Sequence, residues 1–167
     1  VTFYKSVSDL PSFEDYNMNG RTYRYFTGKV LYPFGYGLSY TNFSYDNLKL
    51  SSPYKIGDSV NVLIDVKNTG RVEGDEVVQL YLSNLSSTVP VPIRSLQAFK
   101  RIHLLPGEAK SVTLVIPPNA FSVIDNNNKR VILPGKFQIA VGGGQPETIS
   151  EQQGKILKAT IELIATK

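Results

Sequence analysis

A chain of 167 residues fits one domain or one domain plus an extension, and 41% hydrophobic against 19% charged residues is core-forming rather than disordered composition. The absence of cysteine excludes a disulfide scaffold, a thiolate metal site and a cysteine nucleophile. The net charge of +4 is dispersed over Arg21, Arg24, Lys29, Lys100, Arg101, Lys129 and Arg130 rather than gathered in a stripe, and no apolar run approaches the roughly 20 residues that span a bilayer, so neither nucleic acid nor a membrane is an expected partner.

In chain order, "VTFYKSVSDLPSFEDY" (1–16) lacks a basic segment followed by an apolar one, which is not the pattern of a signal peptide. With no initiator Met, it reads as the start of a mature chain or of a fragment. Residues 1–41 alternate poorly and hold eleven aromatics, from Phe3 and Tyr4 to Tyr36 and Tyr40. "KVLYPFGYGLSYTNFSY" (29–45) adds sharp bends at Pro33, Gly35 and Gly37, and no acid or histidine before Tyr45. An irregular arm this long is uncommon in a compact domain. It is expected to pack on another surface, each buried aromatic removing roughly 150–250 Å² from water.

From residue 42 the pattern is strand-like. "NFSYDNLKL" (42–50) alternates Phe43, Tyr45, Leu48 and Leu50, with an irregularity near Asn47. "VNVLIDVKN" (60–68) sets Val60, Val62, Ile64 and Val66 on one face, and "NTG" (68–70) ends it. "EVVQLYLSN" (76–84) sets Val78, Leu80 and Leu82 on one face, Val77 and Tyr81 on the other. "LQAFKRIHLL" (96–105) alternates imperfectly, with Leu96, Ala98, Lys100, Ile102 and Leu104 in one register. "AKSVTLVIP" (109–117) follows the turn "PGE", and the two are expected to form a hairpin. "FSVID" (121–125) and "RVILPG" (130–135) flank the turn "NNNK". "KFQIAVGG" (136–143) and "ILKATIELI" (156–164) complete the set. The expected fold is all-β: an antiparallel β-sandwich of seven or more strands, fibronectin type III-like (immunoglobulin-like), preceded by the irregular aromatic arm.

Catalytic candidates are few. His103 is the only histidine, it lies in a strand, and no G-x-S-x-G is present, so a hydrolase triad is not expected. Glu14 with Asp15, and Glu73 with Asp75 and Glu76, sit too close in sequence for a glycosidase pair, which needs roughly 5–9.5 Å across a cleft. "VEGDE" (72–76) reads as a solvated turn rather than a cation loop. "GGG" (142–144) lacks a helix behind it and reads as a loop. Catalytic residues, metal and cofactors are therefore expected to be none.

"GRTYRYF" (20–26) followed by "YPFGYGLSYTNF" (32–43) closely resembles the join into the C-terminal domain of glycoside hydrolase family 3. "VKNTGRVEGDEVVQLYL" (66–82) and "LQAFKRIHLLPGE" (96–108) resemble that domain's opening strands and middle hairpin, and residues 1–18 the end of the preceding α/β domain. The resemblance implies an arm over 1–41 and a fibronectin type III-like sandwich over 42–167. It implies a retaining β-glycosidase parent, of β-xylosidase or β-glucosidase type, whose nucleophilic Asp and acid/base Glu precede residue 1. "VSDL" (7–10) matches the nucleophile only in its Ser-Asp, so Asp9 is not given that role.

The implied function is a non-catalytic module that braces the catalytic domains and borders the substrate entrance, with Tyr23, Tyr25, Phe26, Tyr32, Phe34 and Tyr36 at the domain interface. The implied partners are those upstream domains, with an oligo- or polysaccharide and self-association through the arm as further candidates. The implied location is extracellular or periplasmic. Two alternatives stay open, a carbohydrate- or lignin-binding module and a protein-interaction domain. Three or more exposed, coplanar aromatics on the sandwich would favour the binding module.

Overall fold

The computed structural model describes residues 3–50, 52–146 and 154–165. Most of the stretch after Gly144 that was read as non-helical lies outside these. Two sheets form the sandwich. One has three strands, ordered β3 (Phe43–Lys49), β5 (Val60–Asn68) and β8 (Ala109–Ile116). The other has five, ordered β4 (Tyr54–Lys55), β12 (Ile156–Ile164), β11 (Gly135–Gly142), β6 (Gly74–Asn84) and β7 (Ser95–Leu104). All pairings are antiparallel except β4 with β12. A two-stranded flap, β9 (Ser122–Ile124) with β10 (Arg130–Ile132), closes on the expected turn, where Asn128 has φ +59° and Asp125 Oδ1 accepts from the amides of Asn127 and Lys129. The expected sandwich is what forms.

Alternation places the core between the sheets. Val60, Val62, Ile64 and Val66 of β5 face Val78, Leu80 and Leu82 of β6 and Phe137, Ile139 and Val141 of β11, all of them buried. Phe121 stands edge-to-face against Phe137, ring centroids 5.0 Å apart. The irregularity near Asn47 is a register shift between Asp46 and Lys49, with Asn47 at φ +54° and its amide donating to Asp65 Oδ2 at 2.9 Å.

Two expectations about β7 need correction. Leu96 does not share a face with Ala98: a bulge between Leu80 and Tyr81 sets Leu96 opposite Tyr81, on the outer face of the sheet. The expected β7–β8 hairpin is not one either, because β7 pairs with β6 in one sheet and β8 with β5 in the other. The "PGE" turn crosses between the sheets, and Asn68, fully buried at the end of β5, holds it. Asn68 N donates to Glu108 O, Gly107 N to Asn68 O, and Asn68 Nδ2 to Leu104 O at 3.1 Å. The same side chain donates to Val72 O, and its Oδ1 accepts from Gly70 N and from Thr41 Oγ1, where the arm ends.

The arm is less irregular than expected. β1 (Phe3–Tyr4) pairs with β2 (Val30–Tyr32), Val7–Asp9 forms a 3-10 turn, and Thr22–Tyr25 forms one helical turn.

Candidate functional site

The arm meets the sandwich on the outer face of β6, β7 and β11. Strand alternation turns Gln79 and Tyr81 of β6 outward, beside Ala140 of β11 and Leu96 of β7. Gln79 and Tyr81 are nonetheless buried, the tyrosine hydroxyl donating to Gln79 Oε1. Burial pushes the Tyr81 phenol well above its ordinary value, so it is a neutral donor.

The helical turn at Thr22–Tyr25 delivers Tyr23 to this face. Its ring lies edge-on to Tyr81, centroids 6.3 Å apart, and stacks on Phe34 at 5.8 Å. Its hydroxyl accepts from Leu96 N at 3.2 Å, and the next residue's carbonyl, Arg24 O, accepts from Ile93 N at 2.7 Å. Phe34 is anchored through its backbone: Gln145 N donates to Phe34 O at 2.8 Å, and Phe34 N donates to Gln145 Oε1 at 3.3 Å. Gly35, at φ +87°, passes so near that a Cβ there would lie 2.7 Å from Gln79 Nε2 and 2.9 Å from Gly144 Cα. Only glycine satisfies both that conformation and that approach.

The other four candidates pack within the arm. Phe26 meets Tyr4 edge-to-face at 4.8 Å. Tyr32 contacts Phe3 at 6.2 Å and Tyr36 at 4.8 Å. The Arg24 guanidinium lies 6.0 Å from the ring centre of the half-buried Tyr25. The structure therefore divides the six: Tyr23 and Phe34 touch the sandwich, and Tyr25, Phe26, Tyr32 and Tyr36 shape the arm. The receiving residues, Gln79, Tyr81, Leu96 and Gln145, were not singled out in the sequence. The signal for two of them was a polar residue and an aromatic on the outward phase of an otherwise apolar strand.

Phe13, Tyr16, Leu38 and Tyr40 are each at least 88% exposed. On the sandwich, Phe99 is the single exposed aromatic among the described residues.

Among the described residues the remaining titratable groups pair locally rather than around a shared cleft. His103 Nδ1 lies 2.8 Å from Asp75 Oδ1 and its Nε2 3.6 Å from Glu73, with Arg101 also on Asp75, all of them on the exposed outer face. The hydrogen bonds from His103 and then Arg101 hold the Asp75 carboxyl below its usual range. Alternation separates the acids of "VEGDE": Asp75 faces outward, while Glu76 turns to the buried Tyr45 hydroxyl. Desolvation raises the Glu76 carboxyl. Asp9 is committed locally, accepting from Ser6 N at 3.0 Å in a capping box. Among the described residues no group of three or more His, Asp or Glu is placed to hold a metal ion.

Residues 76–145 match the family model described as a fibronectin type III-like domain. The chain is 41% identical over 143 residues to a xylan 1,4-β-xylosidase of Xylanibacter ruminicola, covering 85% of this chain and 16% of that protein. It is 36% identical over 155 residues to a periplasmic β-glucosidase of Salmonella typhimurium, covering 85% and 20%. Among solved structures, a β-glucosidase of Erythrobacter marinus superposes with a TM-score of 0.75 at 30% identity, covering 98% of this chain and 21% of that one. Fold and match together define a fibronectin type III-like domain. It is the domain type of the glycoside hydrolase family 3 β-xylosidases and β-glucosidases, the family whose motifs residues 20–43 and 66–108 resemble. The chain spans 16–20% of the length of these two relatives.

Proposed function

We propose that this domain is a non-catalytic module of a larger β-glycosidase of β-xylosidase or β-glucosidase type, which braces the catalytic domains through its aromatic arm. Residues 1–41 are the passage from an upstream α/β domain, residues 42–167 the module itself. The observation that carries the reading is how the arm's apolar residues divide. Tyr23 and Phe34 pack on the sandwich, whereas Phe13, Tyr16, Leu38 and Tyr40 are almost fully exposed. Soluble monomers rarely leave an apolar patch beyond about 300–600 Å² uncovered. The relatives are about four and a half to five and a half times as long as this chain, which supplies the surface that would cover it. In that placement the arm's tyrosines border the substrate entrance. The periplasmic relative favours a location outside the cytoplasm.

A stand-alone polysaccharide-binding module is the weaker reading, since Phe99 by itself makes no stacking platform.

The test has two parts. The isolated chain is expected to show no turnover of aryl β-xyloside or aryl β-glucoside. In the full-length enzyme, changing Phe13 and Tyr40 together to Ser is expected to lower the melting temperature, while the same pair leaves that of the isolated chain unchanged. Equal effects in both proteins, or turnover by the isolated chain that Asp9→Asn abolishes, would overturn the reading.

A further inference from the structure

Beside the arm lies a cleft of 360 Å³ whose walls are Arg24 of the helical turn, the end of β6, the segment leading into β7, the turn at 117–123 and Arg130 of β10. That volume is at the lower end of the roughly 300–1,000 Å³ typical of small-ligand sites. We propose that this cleft binds an acidic saccharide, a mono- or disaccharide carrying a uronic carboxylate.

Charge sets the first requirement. Two arginines line the cleft and no Asp or Glu does. Among the described residues neither Arg24 nor Arg130 is ion-paired. A guanidinium carries five N–H donors in one plane and suits a carboxylate bidentately. Arg130 spends one of them on Ser122 Oγ, at 2.9 Å, and that hydroxyl donates onward to Asn119 O at 2.6 Å. The serine thus orients the fork and leaves its other donors free for a ligand. Arg24 is positioned by its own backbone, through the bond from Ile93 N, and by its place over the Tyr25 ring.

The rest of the lining sets the second requirement. Asn84, Ser95 and Gln97 bring amides and a hydroxyl to the cleft. Gln97 Nε2 donates to Ser95 Oγ at 2.7 Å, that hydroxyl donates to Leu82 O at 3.4 Å, and Asn84 Oδ1 accepts from Ser86 N at 2.9 Å, which fixes all three and leaves the Gln97 oxygen as an acceptor and the Asn84 amide as a donor. Such groups pair with sugar hydroxyls. A small inorganic anion would engage the arginines and leave the amides unmatched. A neutral sugar would do the reverse. A uronic acid uses both sets. The site does not depend on the bracing role, because its walls belong to this chain and Phe13, Tyr16, Leu38 and Tyr40 take no part in it.

The experiment is a ligand-observed NMR titration of the 167-residue chain with glucuronic acid, glucose and inorganic phosphate at low and high salt. A charge-assisted pair is stronger than a neutral one, so glucuronic acid is expected to bind roughly tenfold or more tightly than glucose. It should also bind more tightly than phosphate and weaken as salt rises. Arg24→Gln and Arg130→Gln should each remove the preference for glucuronic acid over glucose without changing the circular dichroism spectrum. If Arg130→Gln fails to fold, Arg24→Gln, on an exposed side chain of the arm, decides alone. No binding, equal binding of glucuronic acid and glucose, phosphate binding as tight as glucuronic acid, or binding untouched by the substitutions would each overturn the proposal.

Discussion

Replacing Asn68 with alanine is expected to destabilise the domain by about 3–5 kcal/mol, a large part of the roughly 5–15 kcal/mol that holds a typical domain together. The size follows from what one amide satisfies. Its Oδ1 accepts from Thr41 Oγ1 and Gly70 N, and its Nδ2 donates to Val72 O and Leu104 O. Alanine leaves two donors and two acceptors behind around a fully buried side chain, the partners at Thr41 and Leu104 buried and those at Gly70 and Val72 part-buried. Each buried polar group left unmatched costs about 1–3 kcal/mol, and water entering the vacated space offsets part of the sum. Thr41→Val removes one of the four bonds and should cost about 1 kcal/mol. Urea unfolding monitored by circular dichroism measures both. A loss below about 1 kcal/mol for Asn68→Ala would show that the turns it joins are held by something else.

Leu80→Ala and Phe99→Ala should differ sharply although the two residues lie on neighbouring strands, one position apart in register. Leu80 points between the sheets and is fully buried, whereas Phe99 points outward and is 67% exposed. Truncating a buried leucine removes its transfer free energy and opens a cavity, for a cost of about 3–5 kcal/mol in a core that cannot collapse. The core around Leu80 is pinned by Val62, Ile64, Ile139 and Val141, each without exposed surface. Truncating Phe99 should change stability by no more than about 0.5 kcal/mol. Thermal unfolding of the two variants compares them. A comparable loss in both would contradict the register of β6 against β7.

The sandwich was legible because a strand buried on one face writes its orientation into every second residue. Val60, Val62, Ile64 and Val66 gave the inner face of β5 without ambiguity, and the structure buries all four. The sequence also flagged its own irregularities. The fault at Asn47 became a register shift with a left-handed residue, and the imperfect alternation of 96–105 became a bulge that moves Leu96 to the outer face. What alternation cannot carry is partner choice. Two adjacent strands joined by "PGE" read as a hairpin, and the turn that instead crosses between the sheets is held by a residue 40 positions before its glutamate, Asn68, through its backbone and its side-chain amide.

The aromatic arm was legible as a sticky segment, but not which of its aromatics lie on the sandwich. Tyr23 and Phe34 were named for an interface with upstream domains, and here they lie against the sandwich of this chain. Their receiving pocket escaped notice because a glutamine and a tyrosine on the outward phase of a strand look like ordinary surface until something lies over them. Gly35 shows the same limit: it read as a bend, and it also serves as the point where two backbones touch.

Hydrogen exchange of the arm amides, compared between this chain and the full-length enzyme, tests the bracing role most directly. The segments around Phe13–Tyr16 and Leu38–Tyr40 carry the uncovered apolar side chains. Amides around Tyr23 and Phe34 should be protected in both proteins, since their partners lie within this chain. Amides around Phe13–Tyr16 and Leu38–Tyr40 should exchange rapidly in the isolated chain and at least about tenfold more slowly in the full-length enzyme, where a covering domain would lower their opening. Equal exchange of these segments in the two proteins would contradict the bracing role and leave the arm as a feature of this domain alone.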